Sequence, residues 1–149
     1  MRLTLPLLFI GSTLLLAPVA HAAGQATPDE AKAMAIKATE YLKEVGPEKA
    51  LAAFNAVEGP WHDRDLYVIV LDGQGVAVAQ GASAGLIGKN VLDLKDPDGK
   101  PFIRELRMIK DTGWVQYRWL NPLTHQVEPK GMFGDRVGDY VVGVGAYAK

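Results

Sequence analysis

Gly113–Pro122 reads GWVQYRWLNP, and LTHQVEPK carries the chain on to Lys130. Side chains on a strand alternate between two faces, so Val115, Tyr117 and Trp119 share one side. Trp114, Gln116, Arg118 and Leu120 share the other. Asn121-Pro122-Leu123-Thr124 has a turn composition, so the chain returns antiparallel with Lys130 and Met132 on one face. Three large rings on one strand either fill a core or wall a pocket. Alternation alone leaves both readings open. Arg118 points away from Tyr117 and is expected at the surface, its aliphatic stem lying on the sheet.

The same period-two pattern recurs on both sides of this stretch. LYVIVLD (Leu66–Asp72) is a continuous β-type run with Tyr67, Ile69 and Leu71 on one face. Asp72-Gly73-Gln74-Gly75 is a tight turn, and Val76–Gln80 is the return strand of a hairpin. A strand over roughly Gln126–Phe133 and another over Tyr140–Ala148 follow, separated by a turn running from Gly134-Asp135 to Gly138-Asp139. The last strand places Val141, Gly143, Gly145 and Tyr147 on one face. Two glycines on one face leave room for a close backbone approach or for a ligand.

Helical spacing replaces alternation earlier in the chain. Thr27-Pro28-Asp29-Glu30 is a capping box with proline in the first turn. Ala31, Met34, Ala35, Ala38, Leu42 and Val45 then repeat on one face, and Gly46 is a stop. Pro47 restarts a shorter helix with Ala50, Leu51 and Phe54 inward. A third helix opens at Pro101, with Phe102, Ile103, Leu106 and Ile109 inward. The expected fold is α+β: a PAS-like five-stranded antiparallel sheet with a long N-terminal helix pair and an inserted helix, the helices all on one side of the sheet. Trp61-His62-Asp63-Arg64-Asp65, within the loop Gly59–Asp65, reads as a solvated connection that could also cover a site.

Composition bounds the partners. The chain has 149 residues, a formal charge of −1 and no cysteine. There is no basic excess to meet nucleic acid, and no thiol for a disulfide, a thiolate metal site or covalent catalysis. Arg2 followed by the apolar run Leu3–Leu16 and by Ala20-His21-Ala22 reads as an export signal spanning residues 1–22. Cleavage near Ala22 leaves one domain, 23–149, in the periplasm or outside the cell. No cofactor and no metal are expected.

Two catalytic-looking motifs lack their partners. Gly81-Ala82-Ser83-Ala84-Gly85 matches the nucleophile elbow, yet Leu86–Asn90 is a poor helix start and no base accompanies Ser83. Asp96, Asp98, Gly99 and Glu105 fit part of a calcium loop, but Leu94 stands at its first ligand position and Pro101 intrudes. The chain is read as a non-enzyme, with a small esterase acting through Ser83 as a distant alternative.

The blocks EKALAAFN, DLYVIVLDGQG, GLIGKNVLDLKDPDGKPFI, GWVQYRWLNPLTHQVEPK and RVGDYVVGVGAY, in this order, resemble the single Cache domain family. These are the extracytoplasmic PAS-like sensor modules of chemotaxis receptors and kinases. The resemblance covers about Pro28 to Tyr147. It implies a long helix on a PAS-like sheet, and a small ligand, often a short organic acid, between the sheet and the loops over it. It also implies that the Y-x-W-x-N-P…K block lines or supports the ligand cavity, which singles out Tyr117, Trp119 and Lys130.

Residue chemistry is compatible with such a guest. An anion in a dry pocket needs a counter-charge and several donors. Lys130 supplies charge, Tyr67 and Tyr117 hydroxyls, Trp119 an indole N–H, and Gln80 an amide. The expected partners are a short carboxylate and, for output, a membrane receptor or kinase, the chain being read as a free-standing secreted form. An interaction subunit docking on such a receptor through the long helix is the competing reading.

Overall fold

The computed structural model describes residues 24–147. The segment read as an export signal, residues 1–22, lies outside them, as does Ala148. Helix α1 (Pro28–Val45) begins as the capping box dictates: Thr27 Oγ1 accepts from the Glu30 N–H at 3.2 Å, and Glu30 Oε2 accepts from the Thr27 N–H at 2.7 Å. Gly46, at φ 81°, ends it in the left-handed region that glycine adopts without strain, and Pro47 starts α2 (Pro47–Asn55) at once. Thr27→Ala is expected to lower stability by about 1 kcal/mol in chemical denaturation, because the Glu30 N–H loses its acceptor.

The strands are β1 (His62–Asp63), β2 (Leu66–Leu71), β3 (Ala77–Gln80), β4 (Thr112–Leu120), β5 (Val127–Val137) and β6 (Tyr140–Tyr147). All pairings are antiparallel. The lateral order runs β2-β6-β5-β4, with β1 and β3 both paired to β2. The expected five strands are present, and a sixth, β1, arises inside the stretch read as a loop. Arg64 at φ 57° makes the tight reversal that lets His62 and Asp63 pair with Tyr67 and Leu66.

Two further differences have clear causes. Gly134-Asp135 is not a turn, for β5 runs on to Val137. A Cβ at Gly134 would stand 2.7 Å from both Ile109 Cδ1 and Leu106 Cδ1, so this glycine admits the side chains of α3 (Phe102–Met108) onto the strand. The helices also do not share one side. Helices α1 and α2 cover one face, where Ala31, Ala35, Leu42 and Phe54 meet Leu66, Val68, Val70, Val142 and Val144. Helix α3 and the segment before it cover the other, where Phe102, Ile103 and Leu106 meet Ile69, Leu71, Val115, Tyr117 and Met132. Every residue of β2 is therefore buried, which is why LYVIVL is apolar without a break.

The connection before β2 belongs to the fold and does not cover a site from outside. Trp61 is buried, edge-on to Phe54 at 4.9 Å between ring centroids and 5.2 Å from Tyr41. Asp65 is fully buried, and Arg64 pairs with Glu30 at 2.8 Å, so this short hairpin fastens the start of α1 to the sheet.

Candidate functional site

The face of the sheet beneath α3 carries the rings of β4. Val115 and Tyr117 are buried on it and Trp119 is half-buried, while Trp114 on the opposite face packs edge-on against Phe133. Tyr117 stacks flat on Phe102, with centroids 4.2 Å apart and planes 4° apart. Trp119 leans on the same phenylalanine at 5.4 Å. These rings do not fill the space completely. A cavity of about 30 Å³ remains, lined by Tyr67, Ile69, Gln80, Tyr117, Trp119 and Met132 among others. A single water needs roughly 10–15 Å³ on such a measure, so this inner space has room for about two waters. Tyr67, Gln80 and Trp119 also line an adjoining outer recess of about 180 Å³, floored by Ser83, Leu120 and Pro122.

The polar groups gather around one lysine. Lys130 is completely buried, although a lysine is almost never so without a partner. Its Nζ donates to the hydroxyl of Tyr67 at 3.0 Å and to that of Tyr147 at 3.3 Å. It also lies 4.4 Å from the centroid of each ring, where the quadrupole of the π-face favours a cation. The Tyr147 hydroxyl donates onward to the Leu120 carbonyl at 2.7 Å. The Tyr67 hydroxyl accepts from lysine and has no acceptor for its own proton among the described residues.

Register explains how the lysine gets there. Lys130 pairs with Tyr117 on one side and with Tyr147 on the other, so all three point to the same face. The space reserved by glycine on β6 is filled by the protein itself. A Cβ at Gly145 would stand 2.6 Å from Lys130 Cε, and one at Gly143 would stand 2.8 Å from Met132 Sδ. Gly145 thus lets the lysine stem lie across β6 toward Tyr67. Gly145→Ala is expected to cost about 1–3 kcal/mol by overpacking. The loss should shrink in a Lys130→Ala background, as measured by a double-mutant cycle in urea.

Burial sets the electrostatics. Desolvation pushes the Lys130 ammonium down to about 7, with the charge of Asp65 working in the opposite direction. Burial likewise pushes Tyr67 up to about 12 and raises Tyr117 and Tyr147 as well, so all three phenols are neutral donors at physiological pH. No carboxylate stands within ion-pairing distance of Lys130 among the described residues. The site holds a cationic anchor, phenolic donors and an apolar lining, which together suit a small anion with an apolar part.

Of the five residues singled out in the sequence, Tyr67, Gln80, Tyr117 and Trp119 line the cavity together. Lys130 stands behind Tyr67 and reaches the cavity through that hydroxyl. Gln80 faces inward opposite Ile69; its backbone N–H is held by Asn55 Oδ1 at 2.9 Å, and its side-chain Oε1 accepts from the Ala82 N–H at 3.1 Å. Tyr147, Asp65 and Phe102 were missed. Tyr147 shares a face with Gly145 and could have been found from the alternation of β6. Asp65 carried no such mark.

Ser83 is exposed and precedes a three-residue 3₁₀ turn, Ala84–Leu86, in place of the helix that a nucleophile elbow requires. Asp96 spends its oxygens on the N–H groups of Asp98, Lys100 and Arg118, at 3.0, 2.8 and 3.0 Å. These bonds hold its carboxyl below the ordinary range although its desolvation pulls the other way.

A family model described as single Cache domain 2 matches residues 19–149. The fold is similar to that of a methyl-accepting chemotaxis protein from Vibrio parahaemolyticus RIMD 2210633, with 25% identity and a TM-score of 0.67 over 80% of this chain and 86% of that one. It is also similar to the periplasmic sensor domain of a chemotaxis protein, at 23% identity and TM-score 0.61 over 81% and 90% of the two chains. A third similar structure is a Cache chemosensory domain solved to explain carboxylic acid recognition. It shares 22% identity and a TM-score of 0.61, over 81% of this chain and 88% of that one. No curated protein matches the chain. Among the described residues, no helix is long and apolar enough to cross a membrane.

Proposed function

The chain belongs to the single Cache domain 2 family and is a ligand-binding sensor domain, and from that premise we propose that its ligand is a short carboxylate held at the cavity beside Tyr67, Tyr117 and Lys130. The observation that carries this reading is the fully buried ammonium of Lys130, bonded to two phenols and to no carboxylate. A buried cation without a counter-ion is costly, and a carboxylate in the neighbouring cavity offsets that cost. Tyr67 extends the contact, because its oxygen accepts the lysine hydrogen bond while its own O–H is free to donate to the guest. Tyr117 and Trp119 add donors and a flat wall, and Gln80 stands at the mouth shared with the outer recess.

The module works by binding, with no reaction of its own. It resides in the periplasm or outside the cell after cleavage near Ala22, and a membrane receptor or kinase is the class of partner that reads its occupancy. The experiment is a calorimetric titration with acetate, pyruvate and lactate. Saturable binding by at least one of the three is expected. Heats indistinguishable from dilution for all three would remove the carboxylate reading and leave the fold untouched.

A further inference from the structure

The space in front of Tyr67 has two parts of unequal size and unlike chemistry. The inner part, about 30 Å³ beside the stacked rings of Tyr117 and Phe102, holds about two waters. That is the room a carboxylate head needs, two oxygens on one carbon, and too little for the carbon chain of a whole acid. The outer recess measures about 180 Å³, and Tyr67, Gln80, Leu86 and Trp119 line both parts. The two therefore meet across one set of side chains. A guest whose head fills the first places the rest of its atoms in the second.

Unspent hydrogen-bond donors gather at the inner end. The hydroxyl bonds of this region belong to Tyr67 and Tyr147, and the hydroxyl of Tyr117 makes none among the described residues. Gln80 commits its Oε1 to the Ala82 N–H at 3.1 Å, which fixes the amide and leaves its own N–H groups for a guest. The Lys130 ammonium stands 3.0 Å behind the Tyr67 oxygen and supplies the charge. The outer end is different. Beyond the shared side chains its walls are Ala82, Leu120 and Pro122, with the exposed Ser83 as their one hydroxyl. Among the described residues, no side chain lining either part is charged. A second carboxylate placed in the recess would lose water with no cation to replace it, whereas methylene groups gain by leaving water.

We propose that the ligand is a monocarboxylate with an uncharged, apolar tail of several carbons, its head in the inner space against Tyr67, Tyr117 and Gln80 and its tail in the outer recess against Leu86, Trp119 and Leu120. This deepens the carboxylate reading above and rests on it. The head is common to every such acid, so selection among acids falls to the recess. Burying one methylene completely is worth roughly a fourfold gain in affinity, and a recess that covers it in part gives about two- to fourfold.

Calorimetric titration of the protein with acetate, butyrate, hexanoate and succinate at one fixed pH tests the assignment. Affinity is expected to rise from acetate through butyrate to hexanoate, by at least about tenfold over the series. Succinate, as long as butyrate but charged at both ends, should bind more weakly than butyrate. Leu120→Ala removes an exposed wall of the outer recess and keeps the backbone carbonyl that accepts from the Tyr147 hydroxyl. It should lower the ratio of hexanoate to acetate affinity several-fold. Acetate binding as tightly as hexanoate overturns the tail placement and leaves the carboxylate reading standing. Succinate matching butyrate overturns the exclusion of a second charge, and an unchanged ratio in Leu120→Ala shows that the tail lies elsewhere. If none of the four acids binds, the carboxylate reading falls and this assignment falls with it.

Discussion

Lys130→Met should eliminate carboxylate binding while leaving a folded domain that is more stable than the wild type at neutral pH. Methionine keeps the length and the apolar stem that lies over Gly145 and removes the charge. Wild-type protein with ligand at tenfold excess over Kd should gain about 1.4 kcal/mol of stability, and the variant none. The pH dependence separates this cause from a packing effect. Burial holds the folded-state value of Lys130 at about 7, against an ordinary lysine value of 10.5. Between those values the unfolded chain binds the proton and the folded one does not, so the lysine contribution to stability rises with pH across that window. Below about 7 the ammonium is charged in both states and its burial cost is present in full; above the ordinary value it is neutral in both and the cost is gone. The advantage of the methionine variant should therefore be greatest below pH 7 and fall through the window, by up to about 1.4 kcal/mol per pH unit. Urea denaturation of both proteins at several pH values measures the difference, in which all other groups cancel. A pH-independent difference would show that the ammonium is not the buried charge described here. Ligand affinity runs the opposite way. A bound carboxylate favours the charged lysine, so affinity should weaken as pH rises through about 7.

Phe54→Ala should be the most damaging single truncation on the helical side, at about 3–5 kcal/mol. Phe54 is fully buried on α2, with Trp61 edge-on at 4.9 Å and Tyr41 tilted at 6.1 Å. Its removal leaves the rings on either side with nothing to close on, because α2 is anchored between Gly46 and the strand it covers. The effect reaches beyond α2. Trp61 leads directly into β1, and β1 pairs with the strand that carries Tyr67. Chemical denaturation should show the loss in stability. A fall in ligand affinity in protein still folded would show that the aromatic cluster helps to hold the β1–β2 hairpin in register.

Much of this arrangement was legible residue by residue. Thr27-Pro28-Asp29-Glu30 starts a helix at the place its own hydrogen bonds dictate, and Gly46 stops it, since capping is chemistry within one turn of chain. Alternation along β4 put Tyr117 and Trp119 on one face and Trp114 on the other, as the structure has them. The failures came where a residue answers to a distant partner. Gly134 looks like a turn residue and is a mid-strand clearance for Ile109 and Leu106 of another element. Trp61 sits in a polar-looking loop and is core, because Phe54 and Tyr41 come from helices well before it.

By itself, then, the sequence determined the element types, their caps, the faces of the strands and the family likeness, all of which depend on short-range periodicity and local hydrogen bonding. Only the tertiary structure decided that both faces of the sheet are covered, that glycine space on β6 houses a lysine stem, and that a cavity survives between Tyr117 and Tyr67. It also decided that Asp65 and Lys130, both charged, are fully buried. Solvation and packing depend on every neighbour at once, and those neighbours are brought together only by the closed fold.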